Sequence, residues 1–440
     1  MKNKKWMAIL LGGIMAASLA APCSVSAAEK TTLTFWHAMG GTNGEVLQQI
    51  VDDFNASQDE IEVKAEYQGT YDDTITKLKA AMQSDSGLPD VCQMYDVGTK
   101  FMYDSGAVIP VEDKFESTGY DKSSVMDVIS SYYTVDGKQY AMPFNVSTPM
   151  LYYNKDVFEA AGLDPETPPT TYDEVLEDAK KIVESGAAPV GYSQAIYGWF
   201  FEQQLAGLGV TYGNNDNGRT EAVTAVDFDS NGGGLKVFDT WKKLYDSGCF
   251  EDYGTTTADT QTAFFSGQVG MIIESTAILK NAVDSSPFEV GTGYLPRIEQ
   301  NDEGGVIIGG GSLWLTDTGN EANEDAAWKF IEYITTPDVQ AKWSMGTGYF
   351  AINEKAYETE DMKAYLKENP NFETAINQLK DSPVNCNTAG VLSGVQTEAR
   401  LTFNEIMPQV YDGKLTTQDA VDQLAASVNK AIENYNESIK

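Results

Sequence analysis

The sequence predicts an α/β protein with two lobes, and three observations lead to this fold class. Strand and helix patterns alternate over residues 33–95, as in a parallel sheet with helices on its faces. An N-terminal export signal would leave roughly 410 of the 440 residues, too many for one hydrophobic core. An extended, proline-containing segment over 140–153 cannot be a central helix, and we interpret it as the first crossing between the lobes.

The first 27 residues have the pattern of a secretory signal peptide. Three lysines precede an apolar run, and small residues lead to Ala27, where we predict cleavage. A membrane anchor is the alternative, but glycines interrupt the run and it is shorter than the roughly 20 residues that span a bilayer. Cys23 leaves lipidation as a further alternative, although Pro22 stands where a lipoprotein signal needs a small, flexible residue. We therefore expect an exported protein, in the periplasm or on the extracellular face of the cell membrane.

Apolar spacing places the elements of the first lobe in order. Buried strands alternate with helices that show apolar residues at helical spacing. The expected elements are a strand over Leu33–Trp36, a helix over 46–54, a strand over 61–65, a helix over Tyr71–Ser84 and a strand over Asp90–Tyr95.

Turn and capping signals place the later elements. Asp136-Gly137 marks a turn, and Thr171 with Glu174 forms a capping box that opens a helix ending at Gly186. The remaining expected elements are helices over Val237–Asp246, Asp325–Ile334 and Thr416–Ile439, and strands over Val269–Ile273 and Val306–Leu315.

Charge and residue usage exclude several classes of function. The formal net charge of −35 would become −38 without the three signal lysines, and such an acidic surface repels nucleic acid and anionic lipid. The only histidine is His37, which rules out metal sites with several imidazoles and a Ser-His-Asp triad elsewhere in the chain. Cys92, Cys249 and Cys386 are widely spaced and odd in number, so we expect free thiols. No metal, cofactor or catalytic residue is predicted.

Seven short segments, spread in order over nearly the whole mature chain, resemble one family. They are similar to the extracellular solute-binding proteins of the carbohydrate type that serve ABC uptake systems, most closely those that bind glycerol 3-phosphate. The segments are Phe35–Met39, Tyr95–Thr99, Pro143–Pro149, Leu151–Asp156, Ile307–Gly310, Ser312–Trp314 and Thr347–Tyr349.

The resemblance implies a two-lobed periplasmic-binding-protein fold whose hinge closes over a ligand in the cleft. Crossings between lobes would lie near residues 143–147, 303–309 and 345–350. The N-terminal lobe would then comprise 28–142 and 305–345, and the C-terminal lobe 143–304 and 346–440. The partners implied are a small-molecule ligand and the membrane permease of the importer, with the binding protein acting as a monomer and not as an enzyme.

The resemblance also assigns ligand contacts. Arg400 matches the basic residue that holds phosphate, and Asp96 matches an acid that contacts glycerol hydroxyls. Physical chemistry agrees with both roles, because the planar fork of Arg suits phosphate oxygens and Asp96 follows a buried strand, at the edge where open α/β sheets bind ligands. The other expected contacts are Tyr71, Ser147, Ser275, Gly310 and Tyr349, with Trp199 and Tyr197 as a stacking face.

Two departures from the family pattern keep other ligands open. The stacking Trp of the family falls at or near Ile196, and Glu274 precedes Ser275 where a small neutral residue is usual. A carboxylate near a phosphate would repel it, whereas it would bind sugar hydroxyls well. The alternatives are a binder of a neutral mono- or oligosaccharide, with Arg400 held by an internal acid, and a secreted carbohydrate-active enzyme.

Overall fold

A computed structural model of the protein describes residues 30–84 and 87–439. The predicted signal peptide, with Cys23, lies outside these residues. The strands are β1 Thr31–His37, β2 Ile61–Tyr67, β3 Val91–Tyr95, β4 Val108–Ile109, β5 Thr134–Val135, β6 Lys138–Gln139, β7 Met142–Ser147, β8 Pro149–Asn154, β9 Val190–Ser193, β10 Val269–Ser275, β11 Val290–Gly293 and β12 Gly309–Thr316.

The helices cover both faces of the sheets. They are α1 Gly41–Ser57, α2 Tyr71–Met82, α3 Thr99–Ser105, α4 Glu112–Thr118, α5 Asp127–Ser130, α6 Lys155–Ala160, α7 Tyr172–Ser185, α8 Gly198–Gly207, α9 Asn214–Gly218, α10 Gly233–Tyr245, α11 Thr257–Phe265, α12 Leu279–Ser285, α13 Glu321–Ile334, α14 Pro337–Thr347, α15 Glu360–Glu368, α16 Asn371–Asp381, α17 Gln396–Tyr411 and α18 Thr417–Ser438. Within residues 30–84 and 87–439, no helix is both long enough and apolar enough to cross a bilayer.

The first sheet combines parallel and antiparallel pairs. Strand β1 pairs in parallel with β2 and β3, as the alternating pattern of the sequence predicted. Strand β12 then adds to β3 antiparallel and also pairs with β4 and β7, so the strand order is β2-β1-β3-β12-β4 with β7 on β12. The sheet is therefore mixed, because a strand from more than 200 positions further along the chain returns to it.

The second sheet begins where the extended segment leaves the first. Strand β7 ends at Ser147 in the first sheet, and β8 begins at Pro149 in the second, so the chain passes between the sheets at Thr148. The second sheet has the order β11-β8-β10-β9. The chain returns to β12 after residues 306–308, and Phe350 bridges to Val146 where the chain passes once more. The lobe boundaries remain a prediction.

Two large hydrophobic cores and one small cluster contain most of the buried apolar side chains of residues 30–84 and 87–439. The first lies mainly on β1, β3 and β12, with Phe35, Trp314 and Trp343 fully buried, and it extends to α16. The second packs α8, α10, α17 and α18 on the second sheet, around Trp241 and Phe403. This second core holds α8 and α17 together.

Local signals in the sequence placed several elements well. Thr171 caps α7 through the capping box with Glu174, and Gly186 follows that helix in the left-handed conformation at φ 72°. The turn at Asp136-Gly137 joins β5 and β6, with φ 51° and 76°. The last expected strand was too long, because residues 306–308 are not a strand and β12 starts at Gly309.

Candidate ligand-binding site

One edge of the first sheet meets two helices of the second core. Asp96 directly follows β3, Tyr71 opens α2 just beyond β2, and Ser147 ends β7 at the same edge. Arg400 of α17 contacts this edge through Tyr95, and Glu202 of α8 binds Arg400 from the side of the second core. The carboxyl ends of strands in the first sheet thus contribute side chains to a shared polar site, the arrangement by which open α/β sheets bind ligands.

Arg400 lies at the centre of this site, and every N–H of its guanidinium has an acceptor. Glu202 binds it bidentately, with Nε donating to Oε1 at 2.8 Å and Nη2 donating to Oε2 at 2.7 Å. Nη1 donates to the Tyr95 hydroxyl at 2.7 Å. Asp96 accepts from Nη1 and Nη2 at 3.4 Å each, so its contacts are the longest in the set. Both acids and Arg400 are at most 6 % exposed, so water hardly screens them.

The charges of this cluster shift the pKa values of its members. Burial raises the pKa of Asp96 to about 6; the charge of Glu202 adds to this effect, and that of Arg400 opposes it. For Arg400, burial acts to lower the pKa, but Asp96 and Glu202 outweigh it and the pKa is raised well above its usual value. Arg400 therefore remains a cation, whereas Asp96 changes charge close to neutral pH.

Tyrosine rings enclose the arginine. Tyr71 and Tyr95 stack with their centroids 4.5 Å apart and their planes 4° from parallel, and the Arg400 guanidinium lies 5.5 Å from the Tyr95 ring. The hydroxyls of Tyr95 and Tyr197 are 2.6 Å apart and hydrogen-bonded. Burial raises the pKa values of Tyr71 and Tyr95 well above their usual range. The rings thus offer neutral hydroxyls and apolar faces, which suit the hydroxyls and C–H groups of a small polyol.

Asn145 joins the other expected contacts to this cluster. Its Nδ2 donates to the Tyr71 hydroxyl at 2.7 Å, and its Oδ1 accepts from Gln93 at 2.6 Å. Tyr349 lies close to Asn145 and Tyr71, and burial raises the pKa of its hydroxyl. Gly310, at φ 96°, passes so close that an added Cβ would lie 1.9 Å from the Asn145 carbonyl oxygen. No other residue fits at this position.

Trp199 is buried in α8 next to the first strand crossing. Its ring contacts Tyr197 and Phe200, and an added Cβ on Gly309 would lie 2.6 Å from its Cζ2. Its Nε1 is buried and has no hydrogen-bond partner among residues 30–84 and 87–439. A buried, unpaired indole N–H costs free energy unless a ligand supplies an acceptor. The role of Trp199 as a ligand contact stays a prediction.

Ser275 stands apart from the arginine cluster. It ends β10 opposite Pro149, and its hydroxyl accepts from the Ala277 amide at 3.2 Å. The unexpected carboxylate beside it, Glu274, is buried and binds Gln261 at 2.9 Å and the Ser275 amide at 2.7 Å. Glu274 is thus held by its own partners, and the internal acid that binds Arg400 is Glu202.

Comparisons with known proteins identify the family of this chain. A family model for bacterial extracellular solute-binding proteins matches residues 49–374. The chain belongs to this family. It is 30 % identical over 417 residues to the sn-glycerol-3-phosphate-binding periplasmic protein UgpB of Escherichia coli (strain K12), covering 93 % of this chain and 94 % of that protein. UgpB of Brucella abortus (strain 2308) is 32 % identical over 431 residues, covering 96 % and 98 %.

Solved structures of other solute-binding proteins share the fold. The cyclic α-maltosyl-1,6-maltose binding protein from Arthrobacter globiformis superposes with a TM-score of 0.77 at 26 % identity, covering 92 % of this chain and all of that one. UgpB from Mycobacterium tuberculosis, in complex with glycerophosphocholine, gives a TM-score of 0.79 at 20 % identity, covering 93 % and 100 %. The two-lobed fold expected from the sequence is confirmed, and these relatives are solute-binding proteins, not enzymes.

Sequence reasoning missed Glu202, Tyr95 and Asn145 in this candidate site. Tyr95 and Asn145 stand inside segments that resemble the family, so their positions were visible but their contacts were not. Glu202 lies 198 positions from Arg400 in a helix that is buried on nearly all sides. The one signal for Glu202 in the sequence is that this carboxylate directly follows the apolar run Trp199–Phe201.

Proposed function

We propose that this protein is the substrate-binding component of an ABC importer that captures sn-glycerol 3-phosphate or a related glycerophosphodiester. The observation that carries the proposal is the meeting of Arg400 with Asp96, 304 positions apart, in one buried cluster. A guanidinium fork suits phosphate oxygens, and a neighbouring carboxylate accepts hydrogen bonds from glycerol hydroxyls. The relatives named for sn-glycerol 3-phosphate, at 30 and 32 % identity over nearly the whole chain, support this ligand class.

In this proposal the ligand enters between Arg400 and Asp96 and replaces their two 3.4 Å contacts. The other ligand contacts are Tyr71, Ser147, Ser275, Gly310, Tyr349 and Trp199, the last through its unpaired Nε1. The protein acts as an exported monomer, performs no chemistry on the ligand and delivers it to a membrane permease.

A neutral mono- or oligosaccharide is the second candidate ligand. It is favoured by the bidentate pair between Glu202 and Arg400, which already compensates the charge that a phosphate would need. The binding of maltose-type sugars by structural neighbours also fits this candidate.

Isothermal titration of the mature protein distinguishes the two candidates. We expect binding of a glycerol phosphate ester and none of maltose, with the ester recovered chemically unchanged. Arg400→Ala should weaken ester binding at least about thirtyfold, because a buried phosphate then lacks its charged partner, a loss of roughly 2 kcal/mol or more. Arg400→Lys should recover only part of the affinity, since a point charge cannot reproduce the fork. Binding of the disaccharide alone would reject the phosphate ligand.

A further inference from the structure

The two acids that bind Arg400 differ in how firmly they hold it. Glu202 contacts it at 2.7 and 2.8 Å, whereas both Asp96 contacts are 3.4 Å. Glu202 and Arg400 also lie on α8 and α17, which pack together in the second core, whereas Asp96 belongs to the first sheet. The Arg400–Glu202 pair thus lies within one packed unit, whereas the Arg400–Asp96 contacts join that unit to the first sheet.

This difference fixes which part of Arg400 a ligand can reach. Glu202 occupies Nε and one N–H of Nη2, and Tyr95 occupies one N–H of Nη1. Only the two N–H groups that face Asp96 remain for an anion, one on each terminal nitrogen. These two groups form a fork that matches two oxygens of one phosphate.

Glu202 also cancels the charge of that fork before any ligand arrives. Gln396, one turn before Arg400 on α17, donates to Glu202 Oε1 at 2.7 Å and so helps to hold the carboxylate in place. A neutral ion pair offers hydrogen bonds to an anion but no net charge, and Asp96 adds a negative charge nearby. Each further charge on the ligand is therefore opposed in a site with little water to screen it.

We infer that Glu202 is a positioning residue that orients Arg400 and restricts the site to ligands with at most one negative charge. Given the proposed function, on which this inference rests, the preferred ligand class is a glycerophosphodiester, which is a monoanion, over the phosphomonoester glycerol 3-phosphate, which is largely a dianion at pH 8.

Titration calorimetry of two probes at pH 8 tests this inference. The probes are sn-glycerol 3-phosphate and glycerophosphoglycerol, a diester without a cation. The wild type should bind the diester at least tenfold more tightly. Glu202→Gln, which keeps the shape of the side chain and removes its charge, should shift the ratio of the two dissociation constants at least tenfold toward the monoester. Glu202→Asp, which keeps the charge, should retain the preference for the diester.

Asp90→Asn is the matched control. Asp90 is a carboxylate that is 7 % exposed, at the opposite end of β3 from Asp96, and it binds Thr34 and Asn323. Its substitution removes the same amount of charge, so the ratio should stay at the wild-type value. An unchanged ratio in Glu202→Gln, or an equal shift in Asp90→Asn, would overturn the inference.

A second measurement decides the matter if Glu202→Gln does not fold. Between pH 8 and pH 5 the monoester becomes largely a monoanion, because its second pKa is about 6. Its affinity relative to the diester should then rise at least tenfold both in the wild type and in Asp96→Asn, in which the acid with a pKa of about 6 no longer titrates. A ratio that stays constant in Asp96→Asn would overturn the inference. Besides Arg400, the titratable groups that face Glu202 are Asp96, Tyr132, Tyr197 and Tyr212.

Failure of the proposed function gives a different result. The wild type would then bind maltose and neither glycerol ester. The inference would still require Glu202→Gln to acquire measurable affinity for glycerol 3-phosphate, because the cluster around Arg400 would lose one of its two negative charges. If this variant acquires none, the role of Glu202 is wrong independently of the ligand.

Discussion

At the scale of single residues, the candidate site is an arginine between two buried acids, and the two acids have different roles. Glu202 holds Arg400 closely, whereas Asp96 is buried without a contact shorter than 3.4 Å to that cation. Its own short hydrogen bond comes from the Val97 amide at 2.7 Å. Burial therefore dominates the ionisation of Asp96 and raises its pKa to about 6.

This pKa predicts a dependence of stability on pH. A carboxyl whose pKa is raised by folding stabilises the native state when protonated, so this contribution is fully present below about pH 4 and is lost as the pH rises through about 6. Relative to Asp96→Asn, which cannot titrate, the wild type should lose about 2 kcal/mol of unfolding free energy between pH 4 and pH 8. Urea unfolding of both proteins measures the difference, and a value that is constant with pH would contradict the raised pKa.

At the scale of elements, the capping box of α2 positions a ligand contact. The Thr70 hydroxyl accepts from the Asp73 amide at 3.2 Å, and the Asp73 carboxylate accepts from the Thr70 amide at 2.9 Å. This capping box lies at the N-terminus of α2, and Tyr71 is the first residue of that helix. Fraying of that first turn would therefore move the ring that stacks on Tyr95.

We expect Thr70→Ala to weaken ligand binding several-fold while costing about 1 kcal/mol of stability, the usual loss for an N-cap. Thr171→Ala is the control, because it removes the same type of capping box from α7, on which no expected ligand contact lies. It should lower the melting temperature and leave the affinity unchanged. Equal losses of affinity in the two variants would show that the cap of α2 has no local role.

At the scale of the whole molecule, a few polar contacts join the two predicted lobes. Besides Arg400 with Asp96, the Tyr435 hydroxyl of α18 donates to Asp104 of α3 at 2.7 Å. Arg219 donates to the Tyr132 backbone carbonyl of the other predicted lobe at 3.0 Å. Within its own predicted lobe it donates to the backbone carbonyls of Gly390, at 3.0 Å, and Ala389. Asn215, Asp216, Asn217 and Gly218 precede it with φ of 54–76°, a left-handed turn that is costly for most residues. Strain of this kind persists where the surrounding contacts outweigh it.

We therefore expect Arg219 to favour the closed state. Small-angle scattering should show a radius of gyration near about 22 Å for the liganded protein, the value for a compact chain of this length, and a larger one without ligand. Arg219→Ala should enlarge the unliganded protein and lower ligand affinity several-fold, yet reach the same size at saturation. The exposed Arg297 provides the control, since Arg297→Ala removes an equal charge from the surface. A radius of gyration that no ligand alters would contradict a hinge that closes on binding.

The sequence determined the features that depend on neighbouring residues. Alternation and helical spacing placed the parallel core of the first sheet, and Thr171 with Glu174 fixed the start of α7 because a capping box acts over three residues. The resemblance of ordered segments predicted the family and the positions of Asp96 and Arg400. These signals depend on residues close together in the sequence or on short motifs, so they can be recognised without knowledge of the tertiary structure.

Only the tertiary structure decided what meets across long separations. The return of β12 makes the first sheet mixed, and it depends on pairing with β3 more than 200 positions away. The acid that binds Arg400 is Glu202. The sequence had instead singled out Glu274, as a departure from the family pattern, and this carboxylate binds Gln261. Charge and hydrogen-bond partners depend on distance in space, and packing of α8 on α17 alone brings Glu202 to Arg400. The sequence therefore predicted a binding site with an arginine, and the fold decided how much of its charge is left for a ligand.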